Sequence, residues 1–290
     1  MPELPEVETT KTSLEPLLNK VVRSVKIRHP KLRYDIPSDL SSLAGFRLAS
    51  VRRRAKYLLL DFVHDQDNSH KTLLVHLGMS GSLQQHHDLE PRKHDHVLFE
   101  FDGMTLHYHD PRRFGMILWT ANDDYIDTPD THERFLAHLG PEPLDDAFNA
   151  DYLYRLIHRN GDIKKKPLAK PIKSVIMDQA VVVGVGNIYA AESLFLSGIH
   201  PAKPACQLDQ IAIETLVTHI KNILANAIKQ GGSSLKDFTV GDGKTGYFQQ
   251  TLLAYGRDNE PCTVCGTLLE NQKIAGRASV YCPHCQPLTA

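Results

Sequence analysis

The 290-residue sequence has no run of about 18 consecutive apolar residues, so no membrane-spanning helix is expected. It has no excess of positive charge. Lys and Arg number 33 against 34 Asp and Glu, a net charge of −1, which removes the simplest signature of a nucleic-acid binder. Internal repeats and low-complexity segments are absent, which argues against solenoids and tails. The opening MPELPEVETT lacks the charged-then-apolar order of a secretory signal. These absences lead us to expect a soluble, cytoplasmic protein. Cysteine is scarce, and four of the five fall in the last 29 residues. Apolar residues at 41% are enough for real cores, and the length suggests two domains with a small appendage.

The cations present are clustered. Arg52, Arg53, Arg54 and Lys56 put four in five residues, and Lys164, Lys165, Lys166, Lys170 and Lys173 put five in ten. Arg112 and Arg113 form a third point. A single charge run is ordinarily a solvated face. Three separated clusters in a neutral chain point to local anion-binding surfaces.

Hydrophobic patterning divides the chain. A helix is predicted over 3–20, with Pro16 able to end it early. Short β-compatible runs follow at 21–29, 46–52, 57–63, 72–77, 96–101, 104–109 and 115–120, and Asp102-Gly103 marks a hairpin. Residues 121–131 read as a linker. Helical patterning then appears at about 132–138, 149–158, 171–180, 187–197 and 207–230, closed by Gly231-Gly232. The polar stretch 233–250 reads as a loop. The expected class is α+β: a β-sandwich with a leading helix over 1–120, a helical domain over 132–250, and a cysteine module over 251–290.

That module carries the strongest local signal. Cys262-x₂-Cys265 and Cys282-x₂-Cys285 are separated by 16 residues, the spacing of a four-thiolate zinc site. The intervening residues suggest a hairpin with Ala275-Gly276-Arg277 near its tip. Zinc here would staple a module too small for its own core.

Pro2 would be the first residue once Met1 is removed. Its secondary amine, with a reference α-amino pKa of about 7.7–8.0, is partly unprotonated at neutral pH. Attack on an aldehyde-level carbon would give an iminium, an electron sink for eliminations. Glu3, beside it, could supply a proton. Carboxylates and prolines are also ordinary at helix starts, so the Met-Pro opening alone decides nothing. Gly184-x-Gly186 lacks the third glycine of a dinucleotide loop, and that reading is rejected.

Longer motifs occur in a fixed order: PELPEVET at 2–9, RRAKYLLL at 53–60, HLGMSGSL at 76–83, KHDHV at 93–97 and DPRRFG at 110–115. VGVGNIYAAE at 183–192, GIHP at 198–201, GGSSLKDF at 231–238 and the cysteine tail follow. Together they strongly resemble the bacterial formamidopyrimidine-DNA glycosylase family, base-excision enzymes for oxidised purines. The resemblance implies an N-terminal β-sandwich with a leading helix, a helix–two-turn–helix domain and a C-terminal β-hairpin zinc finger. It implies a monomer that acts on damaged double-stranded DNA, carries one structural Zn2+, and reaches the nucleoid through DNA binding without a membrane. It also implies the chemistry: release of 8-oxoguanine and formamidopyrimidines through a proline Schiff base, then strand cleavage by β,δ-elimination.

Residue roles follow from the same resemblance. Pro2 matches the nucleophile and Glu3 the general acid. Lys56 matches a phosphate-contacting lysine that assists β-elimination, and Arg277 the finger arginine that grips phosphate and assists δ-elimination. Asn187, His94 and Lys165 match DNA contacts. Met79, Arg112 and Phe114 match the trio that fills the gap left by an extruded base, and Lys236 lies in the lesion-capping loop. Cys262, Cys265, Cys282 and Cys285 match the zinc ligands. Two alternatives compete. An endonuclease VIII-type glycosylase for oxidised pyrimidines is disfavoured by Leu4 and by HLGMSGS at 76–82. A non-catalytic zinc-dependent DNA-binding protein is disfavoured by the intact Pro2, Glu3, Lys56 and Arg277 set.

Overall fold

A computed structural model describes residues 2–120, 134–159, 166–231 and 252–288. The linker read at 121–131, the loop read at 233–250, and both Lys165 and Lys236 lie outside the described residues. The chain divides into two compact units: Met1–His138 with Ile228–Gln249, and Leu139–Ala227 with Gln250–Ala290.

The first unit opens with helix α1, Leu4–Ser13. Pro5 sits in its first turn, where a missing N–H costs nothing. The helix is shorter than its sequence pattern. Glu15–Leu17, containing Pro16, tightens into a 3₁₀ turn, and Asn19 takes a left-handed φ of 66°. Eight strands follow as two antiparallel four-stranded sheets. One sheet orders β1 (Val22–Ile27), β6 (Asp95–Phe101), β7 (Met104–His109) and β5 (Ser82–His86). The other orders β2 (Arg47–Arg54), β3 (Tyr57–Val63), β4 (His70–His76) and β8 (Met116–Trp119). Leu58, Leu60, Phe62, Leu73 and Val75 from one sheet join Val97, Phe99, Leu106 and Tyr108 from the other, with Val7 of α1, in a single buried core. The sandwich with a leading helix is therefore as expected. The Asp102-Gly103 hairpin is also present, with Phe101 paired to Met104 and Gly103 at φ 73°. Strand β5 has no counterpart in the sequence reading, because its SLQQH offers little apolar alternation.

In the second unit, helix α2 (Ala150–His158) starts at Asn149, whose side chain accepts from the Tyr152 N–H at 2.9 Å. Helix α3 covers only Ile172–Ile176, about half of the 171–180 expected. The chain turns instead at Asp178, whose carboxylate accepts from the Ala180 N–H at 3.1 Å, and enters VVVGVG, poor helix-forming sequence. Helices α4 (Asn187–Leu196) and α5 (Gln210–Lys229) complete the helical part. Strands β9 (Glu270–Ile274) and β10 (Arg277–Tyr281) form the cysteine module's hairpin. Among the described residues no helix is long and apolar enough to cross a membrane.

Candidate active site and metal centre

Pro2 and Glu3 are buried at the start of α1, with Glu3 only 2% exposed. Glu3 is the N-cap, and it exchanges hydrogen bonds with Glu6: each side chain accepts from the other's backbone N–H, the Glu3 N–H reaching Glu6 Oε2 at 2.8 Å. The sequence PELPE thus builds a rigid platform that fixes Glu3 beside Pro2. Lys56, 8% exposed, lies in the two-residue turn between β2 and β3, where Ala55 adopts φ 54°. Arg53 ties this turn to the helix: it donates to Glu8 Oε2 at 2.5 Å and to the Ala55 carbonyl at 2.9 Å. Opposing hydrogen bonds and charges hold Glu8 below its ordinary pKa. Burial raises it, but Lys11 and Arg53 outweigh the burial. His76, at the end of β4, is pushed down to about 4 by burial and by the positive charges of Lys56 and Arg33. It is a neutral ring at physiological pH, and its Nδ1 accepts from the Gly78 N–H at 3.0 Å.

Two loops present the expected gap-filling trio. Met79 is 39% exposed and Phe114 46%, unusual for large apolar side chains. The Arg112 guanidinium stacks 5.0 Å from the Phe114 ring centre. The loops interlock through glycines. A β-carbon on Gly78, at φ 64°, would strike the Phe114 and Gly115 backbone, and one on Gly115 would strike the Tyr108 hydroxyl and the His76 carbonyl. Buried Asp110 clasps both loops. Its Oδ1 accepts from Ser80 Oγ at 2.9 Å and from the Arg112 N–H at 3.3 Å, and its Oδ2 from the Gly115 N–H at 2.9 Å. His94 sits in the turn before β6 at φ 72°.

In the second unit Asn187 is the first residue of α4, and its buried Oδ1 meets no partner among the described residues. Arg277 is exposed and flanks a two-residue turn, Ala275-Gly276, with φ 47° and 78°. Lys173, read from sequence as one more surface cation, is 1% exposed. Its Nζ donates to the Ala278 carbonyl at 2.9 Å and to Ser279 Oγ at 2.7 Å, pinning β10 to α3. Glu192 of α4 accepts from the N–H groups of Leu253, Ala254 and Tyr255 at 2.8–2.9 Å, which docks the start of the module.

The ligand sulfurs of Cys262, Cys265, Cys282 and Cys285 lie within 4.8 Å of one another. Cys265 and Cys282 approach to 3.5 Å and Cys262 and Cys285 to 3.9 Å. Four sulfurs about 2.3 Å from a central zinc would be spaced by about 3.8 Å, so the cage fits one tetrahedral ion. Backbone N–H groups of Val264 and Cys285 point at Cys262 and Cys282 sulfurs at 3.4 Å each, as knuckles require. Hydrogen bonds from Thr267 pull the Cys265 thiol down to about 6. Burial and the adjoining thiols push Cys282 and Cys285 up. A divalent cation among four crowded sulfurs removes that conflict.

Comparison with known proteins agrees with this geometry. The model of the formamidopyrimidine-DNA glycosylase N-terminal domain matches residues 1–117, that of its H2TH domain 139–239, and that of the zinc finger found in FPG and IleRS 259–288. The chain belongs to the formamidopyrimidine-DNA glycosylase family. The formamidopyrimidine-DNA glycosylase of Psychrobacter arcticus is 56% identical, with 99% of each chain covered. The crystal structure from Thermus thermophilus aligns with a TM-score of 0.81 at 36% identity, covering 98% of each chain. A Lactococcus lactis family member, in complex with DNA containing an abasic site, aligns with a TM-score of 0.85 at 33% identity, covering 99% of this chain and 100% of that one. The protein is thus a DNA glycosylase of base-excision repair, and its cysteine cage holds one structural zinc.

Sequence reasoning missed the family member's supporting residues: Asp110, His76, Lys173 and Glu192. Each lies inside a quoted motif or cluster. Asp110 and Glu192 were detectable as lone acids in the otherwise basic or apolar strings DPRRFG and VGVGNIYAAE.

Proposed function

We propose that this glycosylase removes oxidised purines from duplex DNA and then cleaves the strand, with Pro2, Glu3, Lys56 and Arg277 carrying the chemistry. The Pro2 amine attacks C1′ of the flipped nucleotide while the N-glycosidic bond breaks and the base leaves. The amine loses its proton, Glu3 protonates the deoxyribose ring oxygen, the C1′–O4′ bond breaks, and the nitrogen lone pair closes an iminium. Loss of a C2′ proton then expels the 3′ phosphate, and a second elimination expels the 5′ phosphate. Lys56 and Arg277 hold these phosphates as they depart. Met79, Arg112 and Phe114 fill the vacated stack, because extrusion costs a few kcal/mol and leaves a hole. Asn187, His94 and a lysine of 164–166, assigned to Lys165, bind the backbone, and Lys236 belongs to a loop over the lesion.

The observation that carries this reading is the platform itself. Pro2 and Glu3 are fixed by the Glu3–Glu6 capping box, and Arg53 joins their helix to the Lys56 turn. Borohydride trapping tests it on duplexes containing 8-oxoguanine or an oxidised pyrimidine. The expected adduct maps to Pro2 and forms preferentially on the purine lesion. Mapping to a lysine would overturn the nucleophile, and preference for the pyrimidine duplex would favour the endonuclease VIII-type specificity.

A further inference from the structure

The strand ends around His94 hold a charged network that the proposed chemistry leaves unused. Asp95 is fully buried, yet three donors converge on its carboxylate. The His107 Nδ1 lies 2.8 Å from Oδ2, the His109 Nδ1 2.9 Å from Oδ1, and the Arg92 N–H donates to Oδ2 at 2.8 Å. Burial raises the Asp95 pKa, but these hydrogen bonds outweigh it and keep the carboxyl well below its usual range. The buried Nε2 of His107 has no partner among the described residues, and its ring packs edge-on against His86 at 4.5 Å. A neutral His107 ring therefore carries its proton on Nδ1, facing Asp95.

The neighbouring residue needs such an anchor. His94 occupies the left-handed region at φ 72°, a conformation that a side chain with a β-carbon holds only when its surroundings impose it. Three restraints act on this turn. Asp95 bonds the Arg92 N–H through its side chain and the Arg92 carbonyl through its own N–H at 3.2 Å. Arg28 donates to the carbonyls of Arg92 and Asp95 at 3.1 and 3.2 Å. The Asp110 N–H donates to the His94 carbonyl at 3.0 Å. The His94 ring then stands edge-on to His109, 5.9 Å between centres at 80°. One carboxylate therefore closes the turn and also holds the ring on which His94 rests.

We propose that Asp95, acting through the 92–95 turn and through His109, is a positioning residue that sets His94 for its contact with DNA. This rests on the reading of His94 as a DNA contact. Asp95 touches no substrate atom. Its effect is on the geometry of binding and not on the rate of bond breaking.

A double-mutant cycle separates the possibilities. Dissociation constants are measured on a duplex carrying a tetrahydrofuran abasic analogue, and single-turnover cleavage on an abasic duplex at saturating protein. His94→Ala and Asp95→Asn are each expected to weaken binding about tenfold, as for loss of one hydrogen bond to a charged group. The double variant is expected to bind no worse than His94→Ala alone, while Asp95→Asn by itself keeps saturating cleavage within about twofold. Multiplied losses in the double variant, or a fall in the saturating rate, would overturn the inference while leaving His94 as a contact. An unaffected His94→Ala protein would overturn the contact reading itself, and the inference with it. Should Asp95→Asn not fold, His109 serves. His109→Ala is expected to weaken binding, and His109→Asn, which keeps a donor for Asp95, to restore most of it. No difference between those two variants would refute the role.

Discussion

Replacing Asp110 by Asn tests whether the Met79 and Phe114 loops act as one wedge. Asp110 is buried and accepts with both oxygens, from Ser80 and Arg112 on one and from Gly115 on the other. An asparagine offers one accepting oxygen. Whichever way its amide turns, an N–H faces an N–H or a hydroxyl that has lost its acceptor. Leaving one such buried donor unsatisfied costs about 1–3 kcal/mol, and the surviving bonds lose their charge assistance. The expected drop in melting temperature is about 4–10 °C. The functional loss should exceed the thermal one, because Gly78 and Gly115 permit the close loop contact and Asp110 bonds both loops. Stopped-flow fluorescence of 2-aminopurine beside the lesion would report slower extrusion at a temperature where the variant is fully folded. Ser80→Ala removes one hydroxyl bond and is expected to cost about 0.5–1.5 kcal/mol with extrusion largely kept. If Asp110→Asn melts lower yet extrudes the base at the normal rate, the loops are independently rigid and the clasp argument fails.

Glu3→Gln keeps the side chain's size but removes its proton, so excision of an intact damaged base is expected to fall by about 10²–10⁴. Cleavage at a pre-formed abasic site should suffer less, and equal loss on both substrates would contradict the role. His76 binds a proton less readily folded, at about 4, than its ordinary 6.5. The unfolded chain therefore takes up the proton first as pH falls below about 6.5, and His76 lowers stability between there and about pH 4, by about 3 kcal/mol in all. His76→Gln should flatten that part of the stability–pH curve, and an unchanged slope in denaturant titrations would show that His76 titrates normally. Zinc chelation should unfold the cysteine module and abolish its hairpin, since four thiolates lose their cross-link. Circular dichroism unchanged by chelator would refute the staple. Arg277→Ala in zinc-loaded protein is expected to lower the salt slope of DNA binding by about 0.9, whereas Arg52→Ala should leave it unchanged. Equal slopes for Arg277→Ala and the unaltered protein would remove Arg277 from the phosphate contacts.

What the sequence made legible is what local chemistry writes. The hairpin at Asp102-Gly103 and the paired cysteines are each fixed by a few adjacent residues, and each is where it was expected. The failures are tertiary. SLQQH forms strand β5 because its backbone pairs with β7 over Ser82–His86, not because its side chains alternate. Helix α3 stops after Ile176 because Asp178 captures a backbone N–H that a longer helix would have used. The motif residues were visible as motif residues. Which of them would touch one another was not, since Asp110 meets Ser80 across 30 positions and Glu192 meets Leu253, Ala254 and Tyr255 across 61–63.

Charge shows the same limit most sharply. The run Arg52-Arg53-Arg54-Lys56 looks in sequence like one cationic patch, but strand alternation sends its members to different partners. Arg52 forms a two-pronged pair with Asp61 at 2.7 Å, and Arg53 pairs with Glu8 at 2.5 Å. Likewise Lys173, in the second cluster, is spent inside the protein on the finger hairpin. Internal pairing of this kind explains how a chain of net charge −1 can carry dense basic runs without a uniformly attractive surface. A phosphate recruits cations whose own partners are weak, and a guanidinium already bonded to a carboxylate releases little on meeting DNA. In such a protein affinity must come from a small number of well-placed contacts. That favours residues which hold others in position, here Arg53 on the Lys56 turn, Asp110 between the Met79 and Phe114 loops, and Lys173 under the hairpin that bears Arg277.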